Sequence, residues 1–162
     1  MRLTTRSNLA IRTLMFCAVN DGRIVRKHEI ADLCNASENH LAQVINTLAQ
    51  KGFLDTQRGR CGGLRLARPM HRISVGAVLR AFEAGVPFAE CFDPETSTCP
   101  LSAACRFRHA LQTALDAFYA ALDPVTLADL VTDNCALEAL LRLPGTATVP
   151  PCPGRPMPEP AP

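Results

Sequence analysis

The chain has 162 residues, of which 48% are hydrophobic, 5% are aromatic and none is Trp; this is the length of one domain, or of a small domain with a helical arm, around a core of mostly Leu, Ile, Val and Ala. It has no apolar run of about 18 residues, and its N-terminus lacks a charged, apolar and small-residue leader pattern, which excludes a membrane span and points to the cytoplasm. The net charge of +2 conceals a polarity: residues 1–80 hold 13 Lys and Arg against 5 Asp and Glu, and residues 81–162 hold 4 against 10, a balance expected when one half of a protein faces a polyanion.

In chain order, residues 4–20 read as a helix with Leu14, Met15, Cys17 and Ala18 on a broad apolar face, ended by Asp21-Gly22. Residues 27–34 form a short second helix, Asn35-Ala36 the turn, and Ser37 the N-cap of a third helix reaching Gln50 and closed by Gly52. In that third helix Leu41, Val44, Ile45 and Leu48 make a single apolar stripe at helical spacing. Residues 53–57 and 64–67 are strand candidates joined by the glycine-rich turn Arg58 to Gly63, a β-hairpin. Ser74 starts a fourth helix to about Glu83, and residues 85–101, with Pro87, Pro94 and Pro100, are a loop.

A long helix is expected from Ser102 to Leu122. In it Phe107, Leu111, Ala114, Phe118 and Ala121 recur as a heptad seam, supported by Ala110, Leu115 and Leu122. Asp123-Pro124 reads as the cap and first residue of a further short helix, and a last amphipathic piece covers 136–143. Beyond it, eight of the nineteen residues 144–162 are Pro, the composition of a disordered tail. The organisation expected is a DNA-binding domain over 1–84, a cysteine-bearing loop over 85–101, dimerisation and C-terminal helices over 102–143, and the tail.

Helix, short helix, tight turn, helix and hairpin make a winged helix-turn-helix, so the fold class is mainly α with a two-stranded wing and a long dimerisation helix. If the third helix buries its apolar stripe, its other face presents Ser37, Asn39, His40, Gln43, Asn46 and Thr47, side chains able to hydrogen-bond base edges in a major groove. The wing carries Arg58 and Arg60 beside Gly62 and Gly63, where glycine permits close approach and arginine suits phosphate or a narrow minor groove. Seven Lys and Arg and one acidic residue, Asp55, lie between 51 and 80, so double-stranded DNA is the expected partner. No base partner for a nucleophile, phosphate-cradling glycine loop or paired carboxylates support an enzyme.

Eight cysteines in a reducing compartment read as metal-binding or redox-active rather than as a disulfide framework. Cys17, Cys34, Cys61, Cys135 and Cys152 are scattered, and Cys17 and Cys34 suit small core positions. Cys91, Cys99 and Cys105 fall within fifteen residues. Their spacing lacks the tight Cys-x(2–4)-Cys knuckles of structural zinc and suits a larger object held by thiolates, such as an iron–sulfur cluster.

Met1-Arg2-Leu3-Thr4, the run Arg58 to Ala67, the three cysteines and the stretch Thr126 to Val131 together resemble the winged-helix iron–sulfur transcription regulators of the NsrR, RirA and IscR type, over roughly residues 1–143. The runs around Cys99 to Arg106 and Leu127 to Val131 are similar to the nitric-oxide-sensing NsrR branch. The opening, with Asn8 and the run Cys17 to Gly22, is also similar to the iron-responsive RirA branch. The resemblance implies a homodimeric repressor whose long helices cross, with a [4Fe–4S] cluster preferred over [2Fe–2S] and nitric oxide as the signal. It also implies a fourth ligand, left open among Asn8 (where some relatives place a partner-subunit aspartate), His109, Glu90, Asp93 and a non-protein group. Iron responsiveness within the same family and a zinc-stapled DNA-binding protein without sensing are the alternatives.

Overall fold

The computed structural model describes residues 3–57, 59, 62–93, 95 and 97–143. The wing-tip residues Arg58, Arg60 and Cys61 and the Pro-rich segment 144–162 lie outside the described residues. Helix α1 (Thr5–Val19) is the centre of the assembly, buried on most of its circumference and packed against α2 (Lys27–Cys34), α3 (Glu38–Gln50), the second wing strand and the helices that follow. It starts where the Thr4 hydroxyl accepts the Ser7 N–H at 3.2 Å, satisfying one of the orphan donors of a first turn. The buried Thr13 hydroxyl donates to the Leu9 carbonyl at 2.7 Å, so it is not left unpaired in the core.

Between α2 and α3 the chain reverses at Asn35, which sits in the left-handed region at φ 48°, a conformation that its short polar side chain tolerates. Ser37 caps α3, accepting the His40 N–H at 3.3 Å, and Leu41, Val44, Ile45 and Leu48 are buried. At the far end, the Arg68 guanidinium donates to the carbonyls of Lys51 and Gly52, at 3.3 Å and 2.7 Å, and lies over the Phe53 ring. The wing is the antiparallel pair β1 (Leu54–Gln57) and β2 (Gly63–Leu66), in register Leu54 with Leu66 and Gln57 with Gly63. Val25 extends it by bridging to Leu64 through bonds of 2.9 and 2.7 Å, a connection that the hairpin reading did not contain.

Helix α4 (Val75–Glu83), capped by Ser74, packs on α1, and its C-terminal Glu83 accepts hydrogen bonds from the Thr4 N–H, the Thr4 hydroxyl and the Ser7 hydroxyl. A 3-10 turn at Glu90–Phe92 interrupts the loop that follows. Helix α5 (Arg106–Leu122) begins four residues later than the expected Ser102, because residues 101–104 form turns and the Cys105 sulfur supplies the N-cap. α5 packs against α4 yet buries none of its own residues.

The segment after α5 also departs from expectation. Asp123 is not the cap of the next helix; it ends α5 and takes the Arg80 guanidinium on both carboxylate oxygens. α6 (Leu127–Val131) starts instead at Thr126, whose backbone N–H and hydroxyl both bond the Asp129 carboxylate, a reciprocal cap that outcompetes Asp123-Pro124 as an initiator. α7 runs Cys135–Leu141 and is tied back to α1 by the fully buried Asn20, whose amide donates to Leu141 and accepts the Leu143 N–H. No helix of the described residues is long and apolar enough to cross a membrane.

Candidate nucleic-acid interface and cysteine site

The apolar stripe of α3 turns the helix so that Ser37, Asn39, Gln43 and Asn46 are exposed and His40 and Thr47 half-buried. The Thr47 hydroxyl donates to the Gln43 carbonyl at 3.1 Å, so its proton is engaged within the helix. Between α3 and the wing lies a cleft of about 530 Å³, whose walls include Ala42 and Asn46 of α3 and Gly62 and Gly63 of the wing. Its third wall is Arg26, Lys27 and His28 at the start of α2, residues that the linear sequence did not single out. Lys27 pairs with Glu38 at 2.8 Å across the mouth of the α2–α3 turn, and this pair holds the Glu38 carboxyl below its ordinary pKa.

Several basic residues of the 51–80 segment serve the fold. Arg68 caps α3, Arg65 pairs with Asp55 at 3.3 Å, and Arg80 pairs with Asp123. Among the described residues, the cations that reach the cleft come from the start of α2. Gly63 has a structural reason of its own: a Cβ there would stand 2.4 Å from the Val25 carbonyl oxygen.

The cysteine loop is knit by two ties. The Glu90 carboxylate accepts the Thr98 N–H at 3.0 Å and the Thr98 hydroxyl at 2.9 Å, joining the neighbours of Cys91 and Cys99. Those bonds hold the Glu90 carboxyl below its ordinary pKa. The Arg108 Nε donates to the Cys91 carbonyl at 2.8 Å, joining Cys91 to the first turn of α5. Cys91, Cys99 and Cys105 are free and half-buried, in a loop that continues α4 on one side and leads into α5 on the other.

Among the described residues, no three His, Cys, Asp or Glu side chains converge closely enough to hold one metal ion. The donor set nevertheless fits a thiolate-held group in its chemistry: three free soft sulfurs in one loop, one of them receiving an N–H. Of the candidate fourth ligands, Glu90 is engaged by Thr98, the Asp93 carboxylate accepts the Glu95 N–H at 3.0 Å, and Asn8 is exposed on the first turn of α1. His109, one turn after Cys105, shares with it a hollow of about 650 Å³. Cys17 and Cys34 are core residues, and burial pushes the Cys17 thiol up to about 12. Cys135, for which the sequence offered no pattern, is disulfide-bonded.

The seam residues of α5 form an uncovered face: Phe107 is 70% exposed, Ala114 and Ala121 are exposed, and Leu111 and Phe118 are half-buried. Leu115 belongs to a different face; with Tyr119 it lines a cleft against α4 and the residues Val86 to Phe92.

A recognition-type helix on a three-helix core, a two-stranded wing and an appended long helix define a winged-helix, DNA-binding transcription regulator rather than an enzyme. The chain belongs to the Rrf2 family: residues 3–133 match the family model, described as an iron-dependent transcriptional regulator. It is 39% identical over 143 residues to the HTH-type transcriptional regulator NsrR of Geobacillus kaustophilus (strain HTA426), covering 88% of this chain and 97% of the relative. The NsrR of Bacillus subtilis (strain 168) is 38% identical over 144 residues, 88% of this chain and 99% of that one. Among solved structures, CymR, the global cysteine regulator of B. subtilis, shares the fold with a TM-score of 0.63 at 23% identity, over 81% of this chain and 96% of that one. T. potens IscR does so with a TM-score of 0.62 at 24% identity, over 80% and 85%.

Proposed function

We propose that the protein is a homodimeric repressor that holds an iron–sulfur cluster, [4Fe–4S] in preference to [2Fe–2S], on Cys91, Cys99 and Cys105 and leaves its operator in response to nitric oxide. The observation that carries this reading is the placement of the three free thiols: their loop is the direct continuation of α4, whose last turn is tied to the start of α1 through Glu83 and to the end of α5 through Arg80. The similarity to regulators named NsrR supports the choice of signal.

In this reading residues 1–84 bind DNA. Asn39, His40, Gln43 and Asn46, with Ser37 and Thr47 at the edges, meet base edges in the major groove. Arg58, Arg60, Gly62 and Gly63 meet the backbone or minor groove, and Arg26, Lys27 and His28 add phosphate contacts from the cleft. Residues 102–143 form the dimer through the uncovered face of Phe107, Leu111, Ala114, Phe118 and Ala121, which sets the spacing of two recognition helices on one DNA face. His109 is the protein group best placed beside Cys105 to complete the cysteine site.

When bound, the cluster supplies iron that reacts with nitric oxide. The chain's own part is transmission. Any rearrangement of residues 85–104 pulls on Glu83, which fixes the start of α1, and on Arg80, which fixes the end of α5. The two heads then change relative position, and the coupling equals the difference in cluster-state preference between the two arrangements.

The test is an absorption spectrum of anaerobically purified protein, followed by titration with nitric oxide while operator binding is read by fluorescence anisotropy. Brown protein that releases DNA at a few nitric oxide per cluster meets the expectation. A colourless, zinc-loaded protein that binds DNA unchanged refutes it. The description of the family as iron-dependent favours a second reading, iron responsiveness; release of DNA under chelation, with indifference to nitric oxide, is its signature.

A further inference from the structure

Arg108 contacts two of the three cysteine residues at once. Its side-chain Nε donates to the Cys91 carbonyl at 2.8 Å, its backbone N–H points to the Cys105 sulfur at 3.3 Å, and its guanidinium lies 5.7 Å from the centre of the Phe92 ring. Arg108 stands on an exposed stretch of α5, where a long side chain ordinarily keeps its rotamer freedom. Here it gives up that freedom to join a carbonyl fourteen positions before Cys105 to the helix turn that Cys105 caps. The guanidinium makes this possible, since one nitrogen reaches the carbonyl while the central carbon lies over the aromatic ring.

We infer that Arg108 is the positioning residue of the cysteine site, holding the Cys91 segment against the N-terminus of α5 so that Cys91 and Cys105 keep a fixed separation. The inference rests on the cluster reading given above and adds to it a residue that carries no ligand atom. Its physical basis is that groups surrounding metal-bound thiolates orient them, and hydrogen bonds to the sulfurs tune the centre. The Glu90–Thr98 tie fixes the other pair, Cys91 and Cys99, in the same manner.

The experiment compares full-length wild type, Arg108→Ala and Arg108→Lys after anaerobic reconstitution with iron and sulfide. The readouts are visible circular dichroism, which senses the handed environment of the cluster, and the rate at which EDTA removes iron. Far-ultraviolet circular dichroism checks that each variant is folded. Arg108→Ala is expected to show an altered visible spectrum and to lose iron on the order of five- to tenfold faster, the effect of deleting one charge-assisted hydrogen bond near the surface. Arg108→Lys keeps the charge and recovers only part of the difference, because an ammonium cannot serve the carbonyl and the ring with one planar group. Arg108→Ala that matches wild type in both readouts overturns the assignment, and so does full recovery by lysine, which would leave charge alone as the cause. A wild type that takes up no iron and sulfide removes the cluster reading itself, a failure distinct from the first two.

Discussion

At Gly76 the start of α4 comes close to the end of α5, and replacing the glycine with Ala tests whether that junction is tight. A Cβ at residue 76 would stand 2.2 Å from Asp123 Oδ1, 2.9 Å from the Asp123 backbone nitrogen and 3.0 Å from its Cα. The carboxylate can rotate away, but only by releasing Arg80, and the backbone nitrogen cannot rotate at all. Overpacking of this kind costs about 1–3 kcal/mol. Against it stands the gain from removing a glycine inside a helix, about 0.5–1 kcal/mol. The backbone contact makes the first effect the larger, so Gly76→Ala is expected to destabilise the protein by about 1–2 kcal/mol. In urea unfolding that is a midpoint lowered by roughly 0.5–1 M, with an unchanged slope. Gly85→Ala, where the new methyl meets nothing within 4 Å, is the control and should stay close to wild type. A Gly76→Ala protein as stable as wild type would mean that the α4–α5 junction is slack, and the transmission argued for it would lose its basis.

Glu83→Gln should flatten the acid side of the stability profile. Burial raises the Glu83 carboxyl, but hydrogen bonds from Ser7 and Thr4 outweigh it and leave the pKa below the ordinary value. A depressed carboxylate contributes stability above its unfolded pKa and loses it as pH falls through its folded one, so wild type should lose more than the variant below the ordinary carboxylate range. Equal acid limbs in thermal melts would remove Glu83 as the clasp of α1. Phe107→Glu with Ala114→Glu should convert the proposed dimer to a monomer in analytical ultracentrifugation without a change in far-ultraviolet circular dichroism; a persistent dimer would place the interface elsewhere. Asn46→Ala should weaken the operator by about 1–3 kcal/mol and relax base preference at one position. Arg26→Ala should instead weaken all sequences alike and reduce the salt slope by about 1. The reverse pattern would exchange their roles.

The recognition helix was legible in the linear chain because every signal agreed: the Ser37 cap, the stripe Leu41, Val44, Ile45 and Leu48, and the glycine that closes it are local properties, and local chemistry suffices to set a helix and its buried face. The three clustered cysteines were legible for the same reason, as a spacing. Local rules failed where two good signals competed. Ser102 and Asp123-Pro124 both read as helix starts, and each lost to a partner distant in sequence or to a stronger cap: the Cys105 sulfur in one case, Arg80 and the Thr126–Asp129 pair in the other. The net charge of residues 51–80 was visible as a number, but only packing decided that Arg68 caps α3, that Arg80 binds Asp123, and that Arg26, Lys27 and His28 line the cleft beside the recognition helix. By itself the sequence determined the elements, the buried stripe and the cysteine inventory, since these depend on neighbours within a few residues. Tertiary structure alone decided which charges are spent and how Arg108 ties Cys91 to α5, because pairings such as Thr4 with Glu83 and Arg108 with Cys91 span 79 and 17 positions of chain and exist only once the helices have packed.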